Sequence, residues 1–146
     1  MNKWQVAQDN LWQKVLNERK IKEKELQFLK SYIYMIKCNI TKEIYIGSSY
    51  SEMKKRLSDH KSDMKGAMGL LQCERSYRTS AKVLFHNDYQ HIKIEDYPCK
   101  NSQELQARET LWILKARSIE GLVVVNTRLP LAIDTDDYSE LPEFSF

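Results

Sequence analysis

At 146 residues and 42% hydrophobic content, the chain is one domain's worth with a real core and short appendages. No apolar run approaches the roughly 20 residues of a membrane span, and the first residues, MNKWQVAQDNLWQ, lack a signal-peptide core, so an intracellular rather than secreted protein is expected. The net charge of +3 hides an asymmetry: residues 131–146 carry Asp134, Asp136, Asp137, Glu140 and Glu143 with no Lys or Arg, and with those acids set aside 23 basic residues face 15 acidic ones over 1–130, a net +8 that suits a polyanion as well as an ordinary solvated surface.

Trp4, Ala7, Leu11 and Val15 recur at helical spacing, with Trp12 and Leu16 widening the stripe, which predicts an amphipathic helix over 3–16. Two tryptophans on one face need a covering surface, either the domain itself or a second protomer, so a homodimer through this helix is one expectation. The mixed charge run NERKIKEKE at 17–25 reads as the solvated side of a helix, making 1–30 a helical extension. Tyr32–Ile36 and Glu43–Gly47 are β-branched and aromatic runs, and the five residues Cys38 to Lys42 before the second suit a hairpin with a slightly long loop. Period-2 alternation places Tyr32 and Tyr34 on one face and Ile33 and Met35 on the other. Ser49 and Glu52 have the spacing of a capping box, which starts a helix near Tyr50 with Met53 and Leu57 as its buried stripe. Arg56 and His60 stand four apart there and share a face.

Residues 62–78 contain Gly66, Gly69, Lys65, Arg75 and Arg78, and with Lys61 read as a mobile loop able to touch a backbone phosphate. Thr79 or Ser80 is placed to cap a short helix over 81–85, and 91–95 alternates as a third strand. Asn101 and Glu104 form a second capping box, opening a helix that stops near Gly121. Leu105, Trp112, Ile113 and Ala116 define its apolar face, and Glu109 falls in the same arc. A carboxylate there is costly unless paired or bound to a metal; spacing leaves open a buried salt bridge to Arg56 or Lys42 and a metal site. Leu122–Val125 reads as an edge strand or extended segment, and 131–146 as a disordered acidic tail. Cys38, Cys73 and Cys99 are odd in number and far apart, as for reduced thiols, and no Cys or His pair has zinc-finger spacing.

In order, Tyr32-Ile33-Tyr34, then after ten residues Tyr45-Ile46-Gly47, then Arg56-x3-His60 and Arg108-Glu109-x2-Trp112-Ile113 resemble the GIY-YIG nuclease superfamily across roughly 31–128. The style of the hairpin is similar to that of single-domain members of large DNA viruses and bacteriophage. The departure is Tyr32, which stands where glycine is usual. The resemblance implies an α+β fold, a small three-stranded antiparallel sheet flanked by helices over 31–130, with the N-terminal helix 1–30 added before it and the tail 131–146 after it. It also implies a metal-dependent DNA endonuclease that hydrolyses phosphodiester bonds with one divalent ion, Mg²⁺ or Mn²⁺. By that resemblance Tyr34 and Tyr45 are the paired tyrosines, Arg56 the catalytic arginine, His60 the histidine one turn later and Glu109 the metal-binding glutamate. Asn126 corresponds to the asparagine after the last helix, and Lys42 to a basic residue before the second triplet. Tyr34 is then the base, its pKa drawn below about 10 by Lys42 or Arg56. Tyr45 orients water or phosphate and His60 assists proton transfer, although spacing does not rank these three as the base. Lys42, Lys61, Lys65, Arg75 and Asn126 are candidate DNA phosphate contacts. The reading from another class is a DNA-binding or assembly module that keeps the fold without cleaving.

Overall fold

The two β-branched, aromatic runs pair with each other, and the remaining elements cover the two faces this creates. The computed structural model describes residues 2–69, 80–131 and 138–144, leaving out the side chains of 63–69, 81 and 82. Strands β1 (Tyr32–Cys38) and β2 (Glu43–Ser49) form the antiparallel hairpin, with Tyr34 opposite Gly47 and Ile36 opposite Tyr45. On the other edge of β1 lies β3 (Tyr89–Asp96), antiparallel, with a register shift between Ile33 and Tyr34. These are the three expected antiparallel strands. The apolar run after Gly121 adds a fourth, β4 (Val123–Val124), parallel to β2, giving the order β3-β1-β2-β4.

Helix α1 (Lys3–Phe28) is continuous, so the apolar stripe and the charged run belong to one rod about 39 Å long. Asn2 caps it by accepting from the Gln5 N–H at 2.8 Å. Among the described residues its C-terminal end docks: the Phe28 carbonyl accepts from Cys99 N at 3.0 Å, and the Phe28 ring meets Tyr50 edge-on. The domain does not cover the tryptophan face, since Trp4 is 77% and Trp12 58% exposed.

Helix α2 (Met53–Gly69) begins three residues later than the capping box predicts. Ser49 Oγ is taken by the Ser51 N–H and hydroxyl, and the first helical bond runs from Arg56 N to the Glu52 carbonyl. The helix then continues through 62–69, where a loop is expected. Met64, Lys65, Ala67 and Met68 are good helix formers and outweigh the roughly 1 kcal/mol that each glycine costs. Arg75, Arg78 and the Lys65 side chain lie outside the described residues.

After α3 (Ala81–Leu84) and β3 comes α4 (Ser102–Arg117), where Asn101 Oδ1 accepts from Glu104 N at 2.9 Å. Its reciprocal partner shifts by one residue, Glu104 accepting from Lys100 N. Gly121 ends the following turn at φ +87°, a left-handed conformation that favours glycine.

Alternation along the strands sorts the core as expected. Ile33, Met35, Ile44 and Ile46 pack against Leu105, Trp112, Ile113 and Ala116 of α4, while Tyr32, Tyr34 and Ile36 pack on the opposite face against Val83 and Leu84 of α3 and Leu57 of α2. Arg108 ties α4 to β3 through a two-pronged bond to Glu95 at 2.6 and 2.7 Å, an arrangement suited to its planar fork.

The acidic tail is not wholly free. Residues 138–144 return to the core: Leu141 is buried, Phe144 meets Trp112 edge-on at 5.0 Å, and the buried Lys115 ammonium donates to the carbonyls of Leu141 and Pro142. Three apolar anchors, Tyr138, Leu141 and Phe144, provide the burial that an acid count conceals. Asp134, Asp136 and Asp137 lie outside the described residues. Leu141→Ala is expected to lower unfolding free energy by about 2–4 kcal/mol, measured as a shifted urea midpoint; an unchanged midpoint would show that the docked segment adds no stability.

Candidate active site

The hairpin and α2 bring four of the expected residues together on one face of the sheet. Tyr34 is wholly buried, and its ring and hydroxyl lie over Gly47 so closely that a Cβ there would collide with them. This close approach explains the glycine that closes the second triplet. One turn apart on α2, Arg56 and His60 both reach the Tyr34 hydroxyl: Arg56 Nε donates to it at 3.1 Å, and His60 Nε2 lies 2.6 Å from it. Tyr45 stands edge-on to His60, ring centres 5.3 Å apart, and beside Tyr34 at 6.4 Å. Behind His60, Nδ1 lies 2.8 Å from Ser80 Oγ. Tyr32, in place of the usual glycine, is accommodated because its hydroxyl donates to the Ser51 carbonyl at 2.5 Å, securing the turn into α2.

Glu109 approaches β2 from the opposite face, where α4 packs. Ser48, on the same side of the strand as Ile46, donates its hydroxyl to Glu109 Oε1 at 2.8 Å. Its described hydrogen bond is therefore to a neutral hydroxyl rather than to Arg56 or Lys42 in a salt bridge. Burial pushes the Glu109 carboxyl up to about 6, with the Ser48 bonds and the nearby Arg56 charge opposing the rise. Among the described residues no group of three or more His, Cys, Asp or Glu side chains converges. A cation here would take one protein carboxylate, with phosphate oxygens and water completing its shell. That donor set fits Mg²⁺, a hard ion that keeps several waters.

Residues 30–122 match the model of the GIY-YIG catalytic domain family. The chain belongs to the GIY-YIG family. Neither the curated proteins nor the solved structures contain a significant match to it. GIY-YIG domains are those of DNA endonucleases, and the small sheet with flanking helices is the expected α+β arrangement. The match spans both tyrosine triplets, Arg56, His60 and Glu109 but stops short of Asn126.

Other expected residues stand apart from the cluster. Asn126 is engaged with the sheet: its Oδ1 accepts from Ile46 N at 3.0 Å and its Nδ2 donates to the Ile46 carbonyl at 2.8 Å, extending the β2–β4 ladder by a side chain. Both ends of its amide thus engage the Ile46 backbone. Lys42 is exposed at the hairpin loop, where its carbonyl accepts from Val123 N and its side chain lines a cavity with Ile40 and Gly121. Lys61 is exposed on α2, its ammonium 5.9 Å from the centre of the Tyr89 ring.

The expected lowering of the Tyr34 pKa is reversed. Burial drives it above the ordinary phenol value and Tyr45 adds to the rise, outweighing the Arg56 charge and hydrogen bond. Three residues join the site unforeseen. Ser48 follows the second triplet directly, and strand alternation from Ile46 points it at α4. His91 of β3 meets Tyr34 edge-on at 5.0 Å, with burial and then Arg56 pushing its pKa down, which favours a neutral ring. Ser80 carries no local signal beyond a helix cap, a role its hydroxyl does not fill.

Proposed function

We propose that this chain is a metal-dependent DNA endonuclease whose reacting centre lies where the Arg56–Tyr34–His60 cluster and Glu109 meet around the end of β2. The observation that supports it most is the buried hydroxyl of Tyr34, held at once by a guanidinium and an imidazole, beside a carboxylate that no cation among the described residues neutralises by direct contact. Stability alone gives no reason for that combination, because drawing four ionisable side chains wholly or partly out of water is unfavourable.

Glu109 would hold Mg²⁺ or Mn²⁺, which when bound supplies Lewis acidity to the phosphoryl group and eases departure of the leaving oxygen. Arg56 pairs with the non-bridging oxygens, its fork matching their geometry. Its Nε occupies a lone pair of the Tyr34 oxygen in the free protein. Drawing Arg56 onto a phosphate frees that lone pair for the attacking water. The Tyr34 oxygen then takes a proton from the water as its own proton passes to His60 Nε2. No phenolate accumulates, consistent with the raised pKa of the buried phenol. Tyr45, only partly buried at the rim, orients the water or the phosphate.

The test is cleavage of duplex, nicked, flap and branched DNAs in Mg²⁺ or Mn²⁺ by wild type and by Glu109→Ala. Metal-dependent products from wild type, absent with the folded variant, are the expected result. DNA binding without a product under either metal would assign the chain to the second class, a binding or assembly module on the same fold. Cleavage by Glu109→Ala equal to wild type would remove the metal role assigned to Glu109.

A further inference from the structure

Ser80 begins α3 but does not cap it. A serine at a helix start ordinarily accepts a hydrogen bond from a backbone N–H with its side chain. Here the turn is closed by the Ser80 carbonyl, which accepts from Val83 N at 3.1 Å and Leu84 N at 3.2 Å, and the hydroxyl makes no cap bond. The hydroxyl is turned to His60 Nδ1 at 2.8 Å instead. Both groups are deep in the protein, Ser80 at 3% and His60 at 4% exposure. A polar contact so placed is costly to leave unmade.

Counting protons sets the direction of the hydrogen-bonded run. Arg56 can only donate, so its Nε–H must use a lone pair of the Tyr34 oxygen. A phenol proton lies near the ring plane, on the side its acceptor lone pair leaves open. Directing it at the other partner, His60 Nε2 at 2.6 Å, gives that buried proton an acceptor. A neutral imidazole that accepts at Nε2 carries its hydrogen on Nδ1, and that hydrogen meets Ser80 Oγ.

We infer that Ser80 is a positioning residue of this site, accepting from His60 Nδ1–H and so holding His60 in the tautomer whose Nε2 takes the Tyr34 proton. A free neutral histidine prefers the other tautomer, with hydrogen on Nε2. Without the Ser80 oxygen His60 relaxes toward that form, in which Nε2 competes as a donor for the Tyr34 oxygen. Among the described residues, the rings of Tyr34 and Tyr45 stand edge-on to His60, and Nδ1 has Ser80 Oγ as its partner. The catalytic consequence rests on the nuclease reading above; the tautomer does not.

The test reads the tautomer directly. Long-range ¹H–¹⁵N correlation spectra of the full chain at about pH 8, where an ordinary histidine is neutral, should show wild-type His60 protonated at Nδ1 and bare at Nε2. Ser80→Thr, which keeps the hydroxyl, should preserve that pattern, and Ser80→Ala should move it toward Nε2–H or an average of the two. Single-turnover nicking of supercoiled plasmid in Mg²⁺ should slow roughly tenfold in Ser80→Ala, with unchanged plasmid affinity, and be restored in Ser80→Thr. An Nε2–H pattern in wild type overturns the inference without any substitution, as does an unaltered His60 pattern in folded Ser80→Ala. If wild type nicks nothing while His60 shows the expected pattern, the nuclease reading fails and the tautomer assignment stands.

Discussion

Arg56→Ala is expected to reduce the single-turnover rate of Mg²⁺-dependent plasmid nicking by about 10²–10³-fold, with plasmid affinity within a few fold of wild type. The reason is where the guanidinium sits. It reaches inward from α2 to the Tyr34 hydroxyl, and its charge is also felt at Glu109 across the end of β2. A partly buried cation so close to both halves of the site would meet the negative charge that develops on a phosphoryl group, in surroundings where water screens it poorly. A surface arginine that only attracted DNA would act on affinity and on its salt dependence, leaving the rate at saturation intact. Arg56→Lys separates the two further, because it keeps the charge and loses both the fork and the Nε that contacts Tyr34. A large rate loss in Arg56→Lys with retained affinity is expected; a lysine variant with wild-type rates would reduce Arg56 to a source of positive potential.

Much of this site is legible in the chain because period and burial agree there. Alternation along Tyr32–Ile36 puts Tyr34 on one face and Ile33 and Met35 on the other, as observed, and the four-residue step from Arg56 to His60 aims both at one hydroxyl. Glu109 stands out because its helix is apolar on that arc. What spacing does not carry is the partner. Ser48 and Ser80 reach Glu109 and His60 through the packing of α4 and α3, and neither contact follows from local pattern. The direction of the Tyr34 pKa fails for the same reason: a nearby cation is visible in the sequence, whereas burial is a property of the whole fold, and burial outweighs it. Composition misleads in two further places. Two glycines suggest a loop where good helix formers carry α2 to Gly69, and a surplus of acids hides the anchors Leu141 and Phe144. Tyr32 shows the opposite case, a departure from the family's pattern made harmless by a hydrogen bond to Ser51 that only the structure displays.

Glu109→Gln separates the two meanings the sequence leaves open for this residue, because they predict opposite signs of stability. The Glu109 carboxyl has a folded-state pKa of about 6 against an ordinary 4.5. Between those values the folded protein holds a proton that the unfolded chain has released, so stability falls as pH rises through the window, and above about 6 the full penalty of the buried charge stands. Glutamine carries no such charge and keeps an oxygen to accept from Ser48. At about pH 7.5 the metal-free variant is therefore expected to melt higher than wild type by about 2–4 °C, and the difference should shrink as pH falls below 6. Had Glu109 been the anion of a structural salt bridge, the same change would strand a buried cation and lower the melting temperature. Added Mg²⁺ should raise the melting temperature of wild type alone, by the equivalent of about 1.4 kcal/mol when present at ten times its dissociation constant. Nicking by wild type should climb with pH through about 6 as the carboxylate becomes available, and be lost in the more stable variant. A site that gave up stability to keep one carboxylate ionised beside Arg56 would be arranged for a ligand, and thermal melts with and without Mg²⁺ test that without any assumption about which DNA is cut.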